Sequence, residues 1–212
     1  MARITDDSKC LTGTVGNVVF YEMNGIMYAR TKPGKYRDAK TDKQLAMRAR
    51  FSGCTAFYKQ TKDTMLRHVW KMVAKDTGKN ARSMFMQHNI HAFGKDKTVA
   101  YYSRLQFSAG ALPLPEGLLI ERYNDRDCLI QWEYDRQEDI DTPTDRLYVV
   151  ELHSHEWPKV HKLEISRSER KAIFSTFEDI SKNTYLYCFW GNKSETAFSP
   201  THYFKEIPLA EP

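Results

Sequence analysis

Apolar residues fall into two rhythms along the chain, and the change from one to the other sets the expected architecture. Between Val15 and Thr31 the β-formers Val18, Val19, Phe20 and Tyr21, then Ile26, Met27 and Tyr28, flank Asn24-Gly25, a dipeptide that tolerates the positive φ angles of a type I′ turn. A two-residue loop pairs Met23 with Ile26, Tyr21 with Tyr28 and Val19 with Arg30 on one face, leaving Phe20 and Ala29 on the other. Both faces are apolar and a lone hairpin is marginal in water, so the helices that follow are expected to pack on it. Thr41-Asp-Lys-Gln44 spells a capping box that starts the first of these. Met47, Phe51, Cys54 and Tyr58 then recur at helical spacing as one stripe. A second helix is predicted over Lys62 to Lys75, with Met65, Leu66, Val69, Trp70 and Val73 inward and Gly78 suited to its C-terminal cap. Asn80 caps a short third helix carrying Met84, Phe85 and Ile90, and a strand is expected near Val99 to Phe107.

Leu112-Pro113-Leu114-Pro115-Glu116-Gly117 ends this pattern, because two prolines remove amide donors and restrict their neighbours. Beyond it the chain reads as strands: Cys128 to Tyr134, Arg146 to Leu152, Lys171 to Phe177, Tyr185 to Trp190 and a last one near His202 to Ile207. The expected fold class is therefore α+β. A hairpin-plus-helices domain takes residues 1–115 and an all-β sandwich takes 118–212.

Charge sharpens that division. The 212 residues carry a formal +5, but Lys and Arg outnumber Asp and Glu by 20 to 9 through Gly117 and are outnumbered 12 to 18 beyond it. The excess concentrates from Arg30 to Arg82, where 15 basic residues face 4 acidic ones. Hydrophobic residues make up 41% of the chain, enough to close a core and to exclude a disordered or fibrous class. No apolar run approaches the roughly 20 residues that span a bilayer, and the start turns acidic at Asp6-Asp7, so neither a membrane partner nor a secretion signal is expected. The expected setting is cytoplasmic, with a virion as the alternative. Cys10, Cys54, Cys128 and Cys188 form no CxxC pair and read as reduced thiols.

The second half resembles a fibronectin type III or immunoglobulin-like sandwich. Trp132 stands where an early core strand carries its tryptophan, Tyr148 lies in the next long strand, and Ile180 followed by Tyr185-x-Tyr187-x-Phe189 is similar to the tyrosine-corner strand. The resemblance implies that Tyr185, Tyr187 and Phe189 point inward. By alternation Leu186, Cys188 and Trp190 then point outward together with Leu147 and Val149. So large an apolar outer face is either an intermolecular contact or the surface that the first module covers. Cys128, placed inward with Ile130 and Trp132, would be out of phase with Cys188, which argues against a bridge between them.

The whole chain resembles a Bacteroidota family of uncharacterised proteins of about this length. The segments that carry the likeness are Gly13-x-Val15-Gly16-Asn17-Val18-Val19, then Asn24-Gly25-x-x-Tyr28-x-Arg30-x-Lys32-Pro33, Thr41-x-x-Gln44-x-x-x-Arg48-x-Arg50-Phe51 and Ser108-x-Gly110-x-Leu112-Pro113. The third is also similar to proteins encoded near phage and mobile-element structural genes. Neither likeness implies an activity.

Four kinds of chemistry bear on these residues. The basic stretch, with Tyr36, Phe51, Tyr58 and Trp70 interleaved, suits nucleic-acid backbone or an acidic partner, and Arg30, Lys32, Lys35, Arg37, Lys40, Lys43, Arg48 and Arg50 are the candidate contacts. Glu151, His153 and His155 share a strand phase with His161 nearby, a geometry open to a metal, but no full ligand set with a general base is present and no metal is assigned. Glu138, Asp139, Asp141 and Asp145 read as a solvated turn. GxSxG, P-loop and dinucleotide motifs are lacking, so no cofactor and no catalytic residue are expected. The resulting expectation is a non-enzymatic structural or adaptor protein that binds a protein partner or itself, with nucleic-acid binding through the Arg30 to Arg82 surface as the alternative.

Overall fold

The computed structural model describes residues 2–4, 12–23, 25–34, 38–133, 144–154, 156–205 and 207. The hairpin forms in the expected register: β3 (Val18–Met23) and β4 (Ile26–Thr31) pair Met23 with Ile26, Tyr21 with Tyr28 and Val19 with Arg30, and Phe20 lies opposite Ala29. Gly25 takes the positive φ, +74°, that this turn needs. Strands β1 (Ala2–Ile4) and β2 (Gly13–Val15) widen the hairpin into a four-stranded antiparallel sheet of order β1-β4-β3-β2.

The expected packing of helices on this sheet is slight: Val18 to Tyr21 and Ile26 to Ala29 are half-buried, no residue described from 12 to 34 is buried, and Ile26 borders a shallow cleft with residues 71–81. The helices use their apolar faces elsewhere. Helix α1 (Asp42–Gln60) has its capping box in place, with Gln44 N–H donating to Thr41 Oγ1 and Thr41 N–H to Gln44 Oε1. Only half of its predicted stripe is inward: Cys54 and Tyr58 are buried with Gly53 and Phe57, whereas Met47 and Phe51 remain 46% and 47% exposed. At 1.5 Å per residue the helix runs about 28 Å and its first half overshoots the body that it packs on.

Helix α2 (Met65–Ala74) starts three residues later than expected because Thr61 to Thr64 form a turn, with Thr64 Oγ1 donating to Thr61 O. Its buried face is Leu66, Val69, Trp70 and Ala74. Gly78 lies beyond the end of the helix, in the turn that follows. Helix α3 (Ala81–Asn89) is capped as predicted, Ser83 N–H donating to Asn80 Oδ1 at 2.8 Å. No strand covers Val99 to Phe107. There the chain makes one bridge, Phe93 to Val99, and a 3-10 turn over Tyr102–Arg104. The buried Asn89 side chain takes a strand's role: it accepts from Gln106 N–H and donates to Gln106 O and Phe85 O. Leu105 and Phe107 are thereby held in the core without a ladder.

Among the described residues seven antiparallel strands follow. β5 (Leu119–Arg122), β6 (Asp127–Gln131) and β9 (Lys171–Ser175) form one sheet. β7 (Arg146–His153), β8 (Lys159–Leu163), β10 (Thr184–Gly191) and β11 (His202–Phe204) form the other, in the order β11-β10-β7-β8.

The facing of the central strands reverses the expectation. Leu147, Val149, Leu186, Cys188 and Trp190 are fully buried inside the sandwich, against Ile120, Cys128, Ile130, Trp132 and Phe174 of the opposite sheet. They are core residues and not an outer interface. Tyr148, Val150, Leu152, Tyr187 and Phe189 look the other way and form one core with Phe57, Leu66, Trp70, Phe85, Phe93 and Phe107 of the helical layer. Alternation says which residues share a face. It cannot say which way the face looks when both sides are apolar. The molecule thus has three layers, helices on the four-stranded sheet on the three-stranded sheet. Burying five large side chains of β7 and β10 under the helices contributes roughly 10 kcal/mol before ordering costs, so this contact is part of the fold. Cys128 and Cys188 share one interior and are both free thiols.

Candidate functional site

The structure describes six of the eight candidate cations. Arg30 and Lys32 are exposed at the end of β4, with the Arg30 guanidinium 6.0 Å from the Tyr21 ring centroid. Lys40 and Lys43 are exposed around the start of α1, and Lys35 and Arg37 lie outside the described residues. Arg48 is engaged by Asp38 through two bonds, of 2.6 and 2.9 Å, which hold the Asp38 carboxyl below its usual range. Arg50 is half-buried, and its Nε is enclosed without a hydrogen-bond partner. Four of the eight candidates, Arg30, Lys32, Lys40 and Lys43, are therefore exposed and clear of this pairing.

The histidine candidates do meet, but around a carboxylate. Glu151 is fully buried on β7. His153 Nε2 lies 2.7 Å from its Oε1 and His161 Nε2, on β8, lies 3.0 Å from its Oε2. A carboxylate only accepts, so both imidazoles donate through Nε2. The N–H groups of Phe177 and Glu178 donate to the same two oxygens at 2.8 and 3.2 Å. Burial by itself would raise the Glu151 pKa; the bonds from His161, His153 and the two backbone amides outweigh it and bring the group down to about 2. Four donors occupy this carboxylate, so it clasps β7, β8 and the segment after β9 and has no capacity left to act as a base. His155 lies outside the described residues, and among the described residues no cluster of His, Cys, Asp or Glu has metal-holding geometry.

Of the acidic turn, Glu138, Asp139 and Asp141 lie outside the described residues, while Asp145 corrects the expectation of a solvated loop. It is 3% exposed and accepts from Arg167 Nε at 3.1 Å. Arg167 is itself fully buried, donates to Pro113 O at 2.6 Å and sits 5.0 Å from the Trp190 ring, while its carbonyl accepts from Trp132 Nε1. Charge alone hid this residue. The visible signal was Ser166-x-x-Glu169, a capping box that holds the turn in which Arg167 lies.

The most exposed apolar feature is one that the sequence did not single out. From residue 12 to residue 52, across β2, β3, β4 and the first half of α1, no described residue is buried. Val15, Met23, Leu45, Met47 and Phe51 are 37–63% exposed. Strand and helix are both regular there, and their contacts with the body are slight: the Arg82 guanidinium lies 5.7 Å from the Phe51 ring centroid, and Ile26 borders a shallow cleft with Met72, Ala74 and Ala81. This stretch is an arm beside a closed body, and among the described residues every buried core residue comes after it, from Cys54 onward.

Seven strands divided as first, second and fifth against third, fourth, sixth and seventh define a fibronectin type III-like sandwich, here with a helical layer on its four-stranded face. The chain belongs to the Family of unknown function (DUF6266), whose model matches residues 10–189. Among solved structures it is similar to the fn3 domain of human contactin 1, at 10% identity over 50% of this chain and 85% of that one, with a TM-score of 0.32. It is also similar to a myokine structure, at 13% identity over 47% of this chain and 99% of that one, with a TM-score of 0.30. No curated protein matches the chain. No helix among the described residues is long and apolar enough to cross a membrane.

Proposed function

We propose that the protein is a non-catalytic assembly component that associates with further copies of itself through the arm. The observation that supports this is the absence of any buried residue among those described from 12 to 52, although the segment is rich in Val, Phe, Tyr, Met and Ile. Regular structure whose apolar residues stay half-buried or exposed in its own chain gains stability from a second surface. Charge supports a second copy as that surface. Arg30 to Arg50 carries eight basic residues against two acidic ones, and the half of the chain beyond Gly117 carries 12 against 18. A phage or mobile-element particle is the setting that the Thr41 to Phe51 resemblance favours.

Light scattering on the full chain and on a version lacking residues 1–40 tests this. That deletion keeps Thr41, the cap of α1, and every core residue among those described. The full chain should gain mass with concentration and lose it with salt, while the shortened chain stays a monomer with a melting temperature within a few degrees. Equal, concentration-independent masses would sink the reading. A full chain that purifies with excess absorbance at 260 nm would replace it with the nucleic-acid alternative.

A further inference from the structure

A cleft of about 220 Å³ opens where the helical layer and the sandwich diverge, beyond the end of β7. Its first wall is a single face of α1: Gly53, Ala56, Phe57 and Gln60, at i, i+3, i+4 and i+7. Two of these are small, which leaves room beside Phe57. Gly53 is also required for the approach of the second wall, since a Cβ there would lie 2.2 Å from the Lys97 carbonyl oxygen. That second wall is the turn from Phe93 to Tyr102, shaped by Gly94 N–H donating to Thr98 O and by Asp96 accepting from Thr98. The sandwich closes the third side with Leu152, Glu156 and Trp157.

The lining specifies a ligand class. The floor is aromatic, Phe57 meeting Phe93 edge to face at 5.8 Å, and Tyr102 is fixed by stacking on Tyr185 at 3.8 Å. Trp157, on the rim, is 55% exposed, whereas Trp70, Trp132 and Trp190 are all buried. A hydrophobic cavity of roughly 150 Å³ accepts benzene, so this one has space for a ring and a short chain of about ten heavy atoms. The two charges at the rim differ. Glu156 lies at the edge of pairing range, 3.9 Å, from Lys159, whose closer partner is Glu178, whereas the exposed Lys97 ammonium makes no ion pair among the described residues. We infer that the cleft binds a small aromatic carboxylate, its ring held between the α1 face and Trp157 and its acid group paired with Lys97. Enclosure on three sides and the small volume favour a free acid over a side chain presented by a protein.

Titration of the full chain with 3-phenylpropionate and with its uncharged counterpart 3-phenylpropan-1-ol, followed by tryptophan fluorescence, tests the assignment, because Trp157 is the exposed indole. Both probes should give saturable quenching below about 2 mM, with the acid bound roughly two- to five-fold more tightly at low salt. Lys97→Gln should remove the acid's advantage and leave the alcohol unchanged. Ala56→Phe should abolish both responses, and Gln60→Trp, followed by ligand-observed NMR, is the second filling variant; both positions are exposed, so either can be enlarged without opening the core. No saturable response to either probe overturns the site, and equal binding of acid and alcohol overturns the carboxylate. An acetylated tripeptide ending in phenylalanine that binds more tightly than the free acid would move the ligand from a small molecule to a protein C terminus, and so overturn the assignment as stated.

Discussion

Replacing Glu151 by glutamine keeps the shape of the side chain and removes its charge, which isolates what the clasp contributes. Glutamine has one acceptor oxygen and an NH2 group, while the site presents four donors, so at least one imidazole or amide then faces another donor. The magnitude follows from proton linkage. A carboxyl brought from 4.5 down to about 2 stabilises the folded state by about 3 kcal/mol once it is ionised in both states. Because the folded pKa is the lower one, this stability is fully present above pH 4.5 and is lost as pH falls towards 2. Urea unfolding at pH 7 should place Glu151→Gln about 3 kcal/mol below the native chain. At roughly 2–4 °C per kcal/mol for a chain of this size, the melting temperature should fall by about 6–12 °C. At pH 3 somewhat more than half of the advantage is already gone, and the gap should shrink to about 1–2 kcal/mol. A variant within 1 kcal/mol of the native chain at pH 7, or a penalty that stays constant from pH 7 to pH 3, would refute the reasoning.

Other sites give shorter predictions. Arg167→Leu removes the guanidinium bonded to Asp145, which is 3% exposed, and should lower stability by a few kcal/mol in urea, with Asp145→Asn in the same chain recovering part of the loss; no recovery would show that the pair is not coupled. Gly53→Ala should lower the melting temperature, although alanine normally gains about 1 kcal/mol over glycine in a helix, because its Cβ would meet the Lys97 carbonyl; a rise would mean that α1 and the 94–99 turn are not in contact. Tyr187→Phe removes the bond from its hydroxyl to Tyr102 O, 2.9 Å long, and should cost about 1 kcal/mol by calorimetry, whereas no change would mean that this bond contributes nothing to holding the layers together. Burial pushes the Cys54 and Cys128 thiols up to about 12 and raises Cys188 as well, so native protein at pH 8 should release at most one equivalent with a thiol reagent and four after unfolding; a second fast equivalent would contradict these burials.

Three local signals in the sequence were legible because a short-range bond carried the information, while the equally short Thr61–Thr64 turn and Ser166–Glu169 box were passed over. Asn24-Gly25 set the hairpin register, Thr41 with Gln44 started α1, and Asn80 started α3, each through contacts only three or four residues long. The longer strands were legible too, although β5 and β8 were missed: Leu119–Arg122 is only four residues long, and Lys159–Leu163 reads as polar with Lys159, His161 and Lys162 in it. Whatever depended on partners far along the chain was not legible. The facing of β7 and β10 depends on a helical layer that covers one side, and the loop after α3 depends on Asn89 substituting for a strand. Of the candidate sites, the meeting of Glu151, His153 and His161 followed from alternation, but its outcome as a saturated clasp depends on amides 26 and 27 residues away.

The sheet that carries β7 and β10 has no free side, and this bears on how the chain can be handled. A cut at the proline-rich stretch, where composition and charge both change, would leave the sandwich with Tyr148, Val150, Leu152, Tyr187 and Phe189 open to water, a ready surface for aggregation. The helices would lose the wall that orders them. The chain is therefore not two beads on a string that can be expressed apart or grafted separately onto other proteins. Expression boundaries belong before Thr41, ahead of the whole three-layered body, and not at Gly117.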